Sequence, residues 1–305
     1  MSASTPSDQA PDEARQGLLY AIGAYGFWGV APIYFVWVSY APPLEVLMHR
    51  VLWSVPLLTL LIWFSKQWSQ VRGLGRRELL FLLATALCLS INWGTFIWAI
   101  QAQRIADASL GYFINPLVNV MLGWLFLRER MRPYQWLAVA VAFLGINIEL
   151  WTVGRVPWLG LTLAFSFGFY GLLRKQVSVP SAIGLWVETL LMLPIALVFL
   201  TMLMTTQGMR PGFEIAQLAL GGLVSVIPLV WFAAAALRLP LTTLGFVQYL
   251  APSCALMLAV FLYDEPVAST RWLTFGFIWA ALLIFSTETI IEARQRRRAL
   301  RRATT

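Results

Sequence analysis

The stretch Leu110–Glu129, LGYFINPLVNVMLGWLFLRE, is echoed 136 residues later by Phe246–Glu265, FVQYLAPSCALMLAVFLYDE. In that register Pro116 meets Pro252, Glu129 meets Glu265, and Trp136 and Leu137 meet Trp272 and Leu273. Upstream, Phe96 meets Phe232 and Ala99 meets Ala235. Leucine and alanine coincide often by chance in apolar text. Proline, glutamate and tryptophan do so far less, and their agreement in one ungapped register marks a unit written twice. Each copy is an apolar helix with a proline inside it, polar residues beside that proline and an acid at its end.

Composition sets the class. Hydrophobic residues make up 59% of the 305 residues and charged ones 12%, against roughly 25% charge in a soluble domain. A water-soluble fold is excluded. Crossing the hydrocarbon core takes about 20 mostly apolar residues per helix. Ten stretches qualify, near 17–37, 45–65, 79–99, 109–127, 134–152, 157–174, 182–204, 215–237, 242–262 and 272–291. The expected fold class is an all-α integral membrane protein. The polar start, SASTPSDQAPDEARQ, has no basic n-region and no small-residue cleavage site follows, so the first span is expected to remain in the protein. Cys88 and Cys254 lie in spans far apart in sequence and suggest neither a metal site nor a disulfide framework. No cofactor is expected.

Orientation follows from the basic residues of the connections. With the N-terminus cytoplasmic, that side carries Arg15, Lys66, Arg72, Arg76, Arg77, Arg128, Arg130, Arg132, Arg174, Lys175, Arg238 and six tail arginines, 17 in all. The other side carries four: Arg104, Arg155, Arg210 and Arg271. Both termini are therefore expected in the cytoplasm. The net charge of +8 then calls for anionic lipid against the basic loops and tail, not nucleic acid.

The repeat reaches back to the first span. Tyr25-Gly26-Phe27-Trp28-Gly29 aligns with Phe167-Gly168-Phe169-Tyr170-Gly171 at an offset of 142. Five spans per half is an odd number, so the second half must be inverted. The expected organisation is a polar tail over 1–16, a first five-helix repeat over 17–152, an inverted second over 157–291 and a basic tail over 292–305. Inverted repeats are a hallmark of secondary transporters, with the substrate site near mid-membrane between the halves.

Candidate residues follow from what is costly in a bilayer. Proline removes a backbone donor and frees the carbonyl four residues earlier, so Pro116 frees that of Tyr112 and Pro252 that of Gln248. Free carbonyls at that depth are tolerated only where protein or a water-filled cavity satisfies them. Tyr112, Asn115 and Asn119 stand beside one kink, Gln248 and Tyr249 beside the other. Two readings stay open: a shared central cavity, or kinks that serve packing alone. Tyr25, Trp28 and Tyr170 could wall such a cavity or fill tight helix contacts. Asn92 and Trp93 could line it or bond between helices. Glu45, His49, Arg50 and Glu188 are intramembrane ionisable residues. They are read either as a structural or gating network or as proton coupling through His49 or Glu45. Glu129 and Glu265 are expected to fix the turns into the fifth and tenth spans.

Several strings together resemble a known family: AYGFWGVAPIYF (24–35), HRVLWS (49–54), ASLGYFINPLVN (108–119), QWLAV (135–139), LAFSFGFYGLLRK (163–175), VETLLMLP (187–194), TTLGFVQYLAP (242–252) and FIWAALLIF (277–285). They are similar to the two repeats of the EamA type in the drug/metabolite transporter superfamily, and more narrowly to RarD-type permeases, often labelled chloramphenicol-sensitive proteins. ASLGYFINPL and LGFVQY are the most specific. The resemblance implies a ten-helix inner-membrane carrier working by alternating access, and fixes no substrate.

A secondary transporter moving a small organic solute, metabolite or drug is the reading these observations favour. The aromatic and amide lining suggests a zwitterionic or amphipathic solute held by stacking and hydrogen bonds, with coupling to protons or to no ion. An intramembrane enzyme would need a reactive set such as HExxH or paired aspartates; the only histidine is followed by RVLWS. A non-transporting membrane scaffold or assembly factor is the alternative, since it needs no cavity.

Overall fold

Most of the spans begin on or directly after a proline, where the missing N–H is not needed and the fixed φ suits the first turn. Pro43 and Pro133 open α3 (Pro43–Phe64) and α7 (Pro133–Val153), while Pro180 and Pro211 precede α9 (Ser181–Gln207) and α10 (Gly212–Arg238). The first span is α1 (Pro6–Val30), interrupted at Ala31 and resumed as α2 (Pro32–Trp37); α4 (Trp68–Arg72) is a short connection. The third, fourth and sixth spans are α5 (Arg76–Gln101), α6 (Ile105–Phe126) and α8 (Trp158–Lys175). The ninth is split into α11 (Leu241–Gln248) and α12 (Leu250–Phe261), and the tenth is α13 (Ser269–Ala303). This computed structural model describes residues 6–303 apart from 103, 155 and 265, and the described residues contain no strand.

Nine of the ten spans have the length and apolarity to cross a membrane. The other, α8, has 18 residues, about 27 Å of helix. The flanks read as tails continue the helices: α1 starts at Pro6 and α13 runs to Ala303. Alternation of ten spans brings the chain back to the end where it began, called here the terminal end; the opposite one is the distal end.

The closest helix pairs join one half to the other: α6 with α8, α7 with α13, α3 with α10 and α9, α1 with α10 and α12, α5 with α8 and α9, and α6 with α11. Exchanging each span for its counterpart five spans away returns the same set. The pair α1–α12 becomes α8–α6, α1–α10 becomes α8–α5, and α3–α10 becomes α9–α5. That exchange is the two-fold of an inverted repeat. The halves are interlocked, since each of these close pairs joins a helix of one to a helix of the other.

The pair α7–α13 shows the two-fold at the level of side chains. At the terminal end Arg132 bonds Glu288 at 2.9 Å and also reaches Glu292. At the distal end Arg271 bonds Glu149 at 3.2 Å, with Thr274 on the same carboxylate. Arg132 and Arg271 are 139 residues apart, and so are Glu149 and Glu288. The glycines flagged in the first and sixth spans serve close packing. Gly29 lies against Cys254 and the Ala251 carbonyl, and Gly168 against Val118 and Leu122. Val118 and Cys254 are themselves register partners, 136 apart.

Candidate functional site

The two proline helices are not equal. α6 runs unbroken through Pro116. Its counterpart breaks at Tyr249, where α11 has ended and α12 has not begun. Pro252 cannot donate to the Gln248 carbonyl, and the Tyr249 amide instead closes a tight turn on the Phe246 carbonyl at 3.2 Å. Below the break α11 lies on α6. A Cβ on Gly245 would stand 2.7 Å from the Pro116 carbonyl, so only glycine allows the two backbones so close. Asn119 Nδ2 donates to Gln248 Oε1 at 2.7 Å, and the Tyr249 hydroxyl donates to the Phe113 carbonyl at 3.3 Å. Beyond the break α12 turns away to pack on α1.

Asn115, Asn119, Gln248 and Tyr249 are buried at this crossing. The Oδ1 atoms of Asn115 and Asn119 have no hydrogen-bond partner among the described residues. Tyr112, seven residues into α6, is 49% exposed. By the 100° step of a helix it lies opposite the exposed Met121, Trp124 and Leu125 and within about 40° of the exposed Phe126. Its ring meets that of Phe96 of α5 edge-on at 6.4 Å.

Tyr25, Trp28 and Tyr170 meet in a packed aromatic cluster with Phe167 and Phe232. Trp28 meets Phe167 edge-on at 5.7 Å, Phe167 and Phe232 are 4.9 Å apart, and Tyr170 stacks on Phe232 at 5.7 Å. The cluster fills the middle of the bundle; Tyr25 is buried with its hydroxyl unbonded among the described residues. Asn92 ties α5 to α8, donating to the Leu163 carbonyl at 2.9 Å and Ser166 Oγ at 3.1 Å. Trp93 points elsewhere, towards α3.

The ionisable candidates separate into three groups. Near the distal end Glu45 takes both Nε and Nη2 of Arg210, at 2.5 and 2.8 Å, and Arg210 also holds Glu214 at 2.9 Å. Bonding to Glu45 and then Glu214 raises the guanidinium of Arg210, in the connection outside the spans, above its ordinary value. His49 is not part of this set: its Nδ1 accepts from Trp53 Nε1 at 3.3 Å. Towards the terminal end Glu188 accepts from Thr85 at 2.7 Å and Tyr170 at 3.3 Å, with Arg174 Nη1 at 3.9 Å. Both charges of that pair are fully buried. Arg174 sits where a side chain on residue 184 would be, so Gly184 is what admits it.

The third group is Arg50 alone. Its Nε donates to Ser225 Oγ at 2.8 Å, and its guanidinium lies 5.1 Å from the Trp93 ring centre and 5.4 Å from that of Phe35.

The terminal end is tied shut between the halves. Both oxygens of Glu129 accept from the start of α11, at 2.6 Å from the Leu241 amide and 2.9 Å from that of Thr242. Within the second half, Lys175 Nζ donates to the Ala236 carbonyl at 3.3 Å and to the Leu239 carbonyl. Glu129 was expected to fix the turn into the next span. Its carboxylate instead caps a helix of the other half, where the first amides lack partners and the dipole favours an anion. Glu265 lies outside the described residues. Sequence reading counted Arg174 and Arg210 only as loop charges. The one signal for Arg174 was a glycine on a neighbouring helix, and that cannot be read before the helices are placed. An apolar crevice of about 640 Å³, lined by Val30, Ser253, Cys254, Met257, Phe261 and Trp279 among others, contains none of the candidate residues.

Residues 15–149 match the EamA-like transporter family. An uncharacterized transporter of Vibrio cholerae is 47% identical over 97% of this chain and 99% of that protein. A protein RarD of Salmonella typhi is 45% identical over 93% of this chain and 99% of that protein. One solved crystal structure, 16% identical, superposes with a TM-score of 0.67 over 88% of this chain and 96% of its own; at that identity it speaks for the fold alone.

Proposed function

We propose, from the premise that this chain belongs to the EamA-like transporter family and to its RarD branch, that it is a secondary carrier of a small organic solute. It is a multi-pass membrane protein with ten spans. In our reading it sits in the bacterial inner membrane with the terminal end in the cytoplasm. The 17 basic residues of that end, against four on the other, support this orientation.

The observation that carries the mechanism is the contrast between the two ends of one helix crossing. α6 and α11 are bonded together towards the cytoplasm through Glu129, Gly245 and the Asn119–Gln248 pair. Towards the outside, past the break at Tyr249, they diverge and Tyr112 is exposed. Such a cleft, open to one side and closed to the other, is one state of an alternating-access cycle. The two-fold between the halves supplies the opposite state by exchanging their conformations. Tyr112, Asn115, Asn119, Gln248 and Tyr249 lie along the path, and Glu188 with Arg174 stands near its cytoplasmic gate.

Purified protein in proteoliposomes, offered a panel of labelled amino acids, organic acids and antibiotics, tests this reading. A carrier gives saturable uptake of some member that is accelerated by the same solute preloaded inside. A scaffold gives none above empty vesicles.

A further inference from the structure

Four arginines that reach between helices in the described bundle hold a carboxylate, while Arg104 and Arg238, at helix ends, lie over the rings of Trp158 and Tyr20. Arg132 has Glu288 and Glu292, Arg174 has Glu188, Arg210 has Glu45 and Glu214, and Arg271 has Glu149. Arg50 has none among the described residues; its one hydrogen bond goes to a hydroxyl, Ser225 Oγ. The acid one turn earlier, Glu45, is engaged at both oxygens by Arg210.

An unpaired cation within a span is costly and marks a functional site. Arg50 is seven residues into α3 and keeps some accessible surface, whereas Arg174 keeps none. Its guanidinium is held edgewise by Ser225 and flanked by the rings of Phe35 and Trp93. Those contacts fix its plane and supply no negative charge. Tyr34 shares one notch with it: a Cβ on Gly221 would stand 2.7 Å from the Tyr34 hydroxyl and 2.8 Å from Arg50 Cγ. Tyr112 of α6 is within electrostatic reach of Arg50, although α6 is not among the close neighbours of α3.

We infer that Arg50 is the anion-binding subsite of this cleft, and that the transported solute carries a carboxylate beside an aromatic or other flat apolar group. The planar fork of a guanidinium matches the two oxygens of a carboxylate. Trp93 and Phe35 offer faces for the flat group, and Tyr112 a hydroxyl from α6. The inference rests on the carrier reading and sharpens it, adding a charged contact to the stacking and hydrogen bonds expected from the sequence.

The test uses the full chain in lipid nanodiscs and two matched pairs, phenylacetate with phenylacetamide and indole-3-acetate with its amide. Thermal melting is followed against ligand concentration. At least one carboxylate should act at concentrations about tenfold or more below its amide, the scale of a hydrogen bond to a charged group. Arg50→Gln should erase that preference and Arg50→Lys should keep part of it. If neither pair shows a preference, or if it survives in Arg50→Gln, the subsite is not at Arg50. Should Arg50→Gln fail to fold, Tyr112→Cys in a variant lacking Cys88 and Cys254 keeps the question answerable. The carboxylate, but not the amide, should then slow labelling by a methanethiosulfonate reagent at least about fivefold, and equal labelling overturns the inference. Binding is read here without transport, so the two readings fail separately. Uptake of amides and amines without carboxylate preference would sink the subsite and spare the carrier; carboxylate binding without uptake would do the reverse.

Discussion

Glu129 and Leu241 lie 112 residues apart in the chain and are joined by a 2.6 Å hydrogen bond from the Leu241 amide to the Glu129 carboxylate. The second oxygen takes the amide of Thr242. One acid at the end of a helix in the first half thus caps a helix of the second, and the bond spans the interface that must part if the terminal end is to open.

Glu129→Gln keeps the shape and turns one acceptor into a donor that faces an amide. A charge-assisted cap should then be lost, at about 1–3 kcal/mol. The expected outcome is a lower melting temperature together with faster labelling of cysteines placed at the terminal end. A variant with the parent's melting point and labelling pattern would show that the cap does not hold the gate.

Gly184→Ala should be poorly tolerated, because its methyl group falls on the Arg174 guanidinium. Overpacking costs about 1–3 kcal/mol, and displacing the buried charge from Glu188 adds to it. The check is a double-mutant cycle. In an Arg174→Met background the cost of Gly184→Ala should largely vanish, and an equal cost in both backgrounds would place the clash elsewhere.

Asn119 and Gln248 share a single neutral hydrogen bond. Asn119→Ala and Gln248→Ala should each destabilise by about 1–3 kcal/mol, since each strands a buried partner. The double variant should cost clearly less than the two together. Melting curves of the three variants decide it; strict additivity would mean that the pair is not coupled.

Pro252→Ala restores a donor to the Gln248 carbonyl and should rejoin α11 to α12, narrowing the space beside Tyr112. Pro116→Ala acts in a helix that is already continuous and should do less. Labelling of Tyr112→Cys, without Cys88 and Cys254, should slow several-fold in the first variant and change little in the second. The reverse order would remove the break at Tyr249 from the account of the cleft.

A reporter active only outside the cytoplasm, fused after Thr305, should be silent, because ten spans return the chain to the basic side. Strong activity would overturn the orientation.

The primary structure by itself determined what depends on composition and on order along the chain. Apolar runs of bilayer length can only be helices there, because no other single segment satisfies its own backbone in lipid. Prolines 136 apart announced the repeat, and an odd number of spans per half made it inverted. Which residues are costly in a membrane was equally legible, so Glu45, Arg50, Glu188, Asn119 and Gln248 stood out before any contact was known. What each does was decided by neighbours on other helices, 165 positions away for Glu45 and 112 for Glu129. Glu45 found Arg210, Glu188 found Arg174, and Glu129 found α11 of the other half. Two prolines in matching places gave one continuous helix and one broken one, because the outcome turns on what packs beside each. Arg50 differs from Arg132, Arg174, Arg210 and Arg271 in having no carboxylate among the described residues, and that emerges only once the helices have been placed.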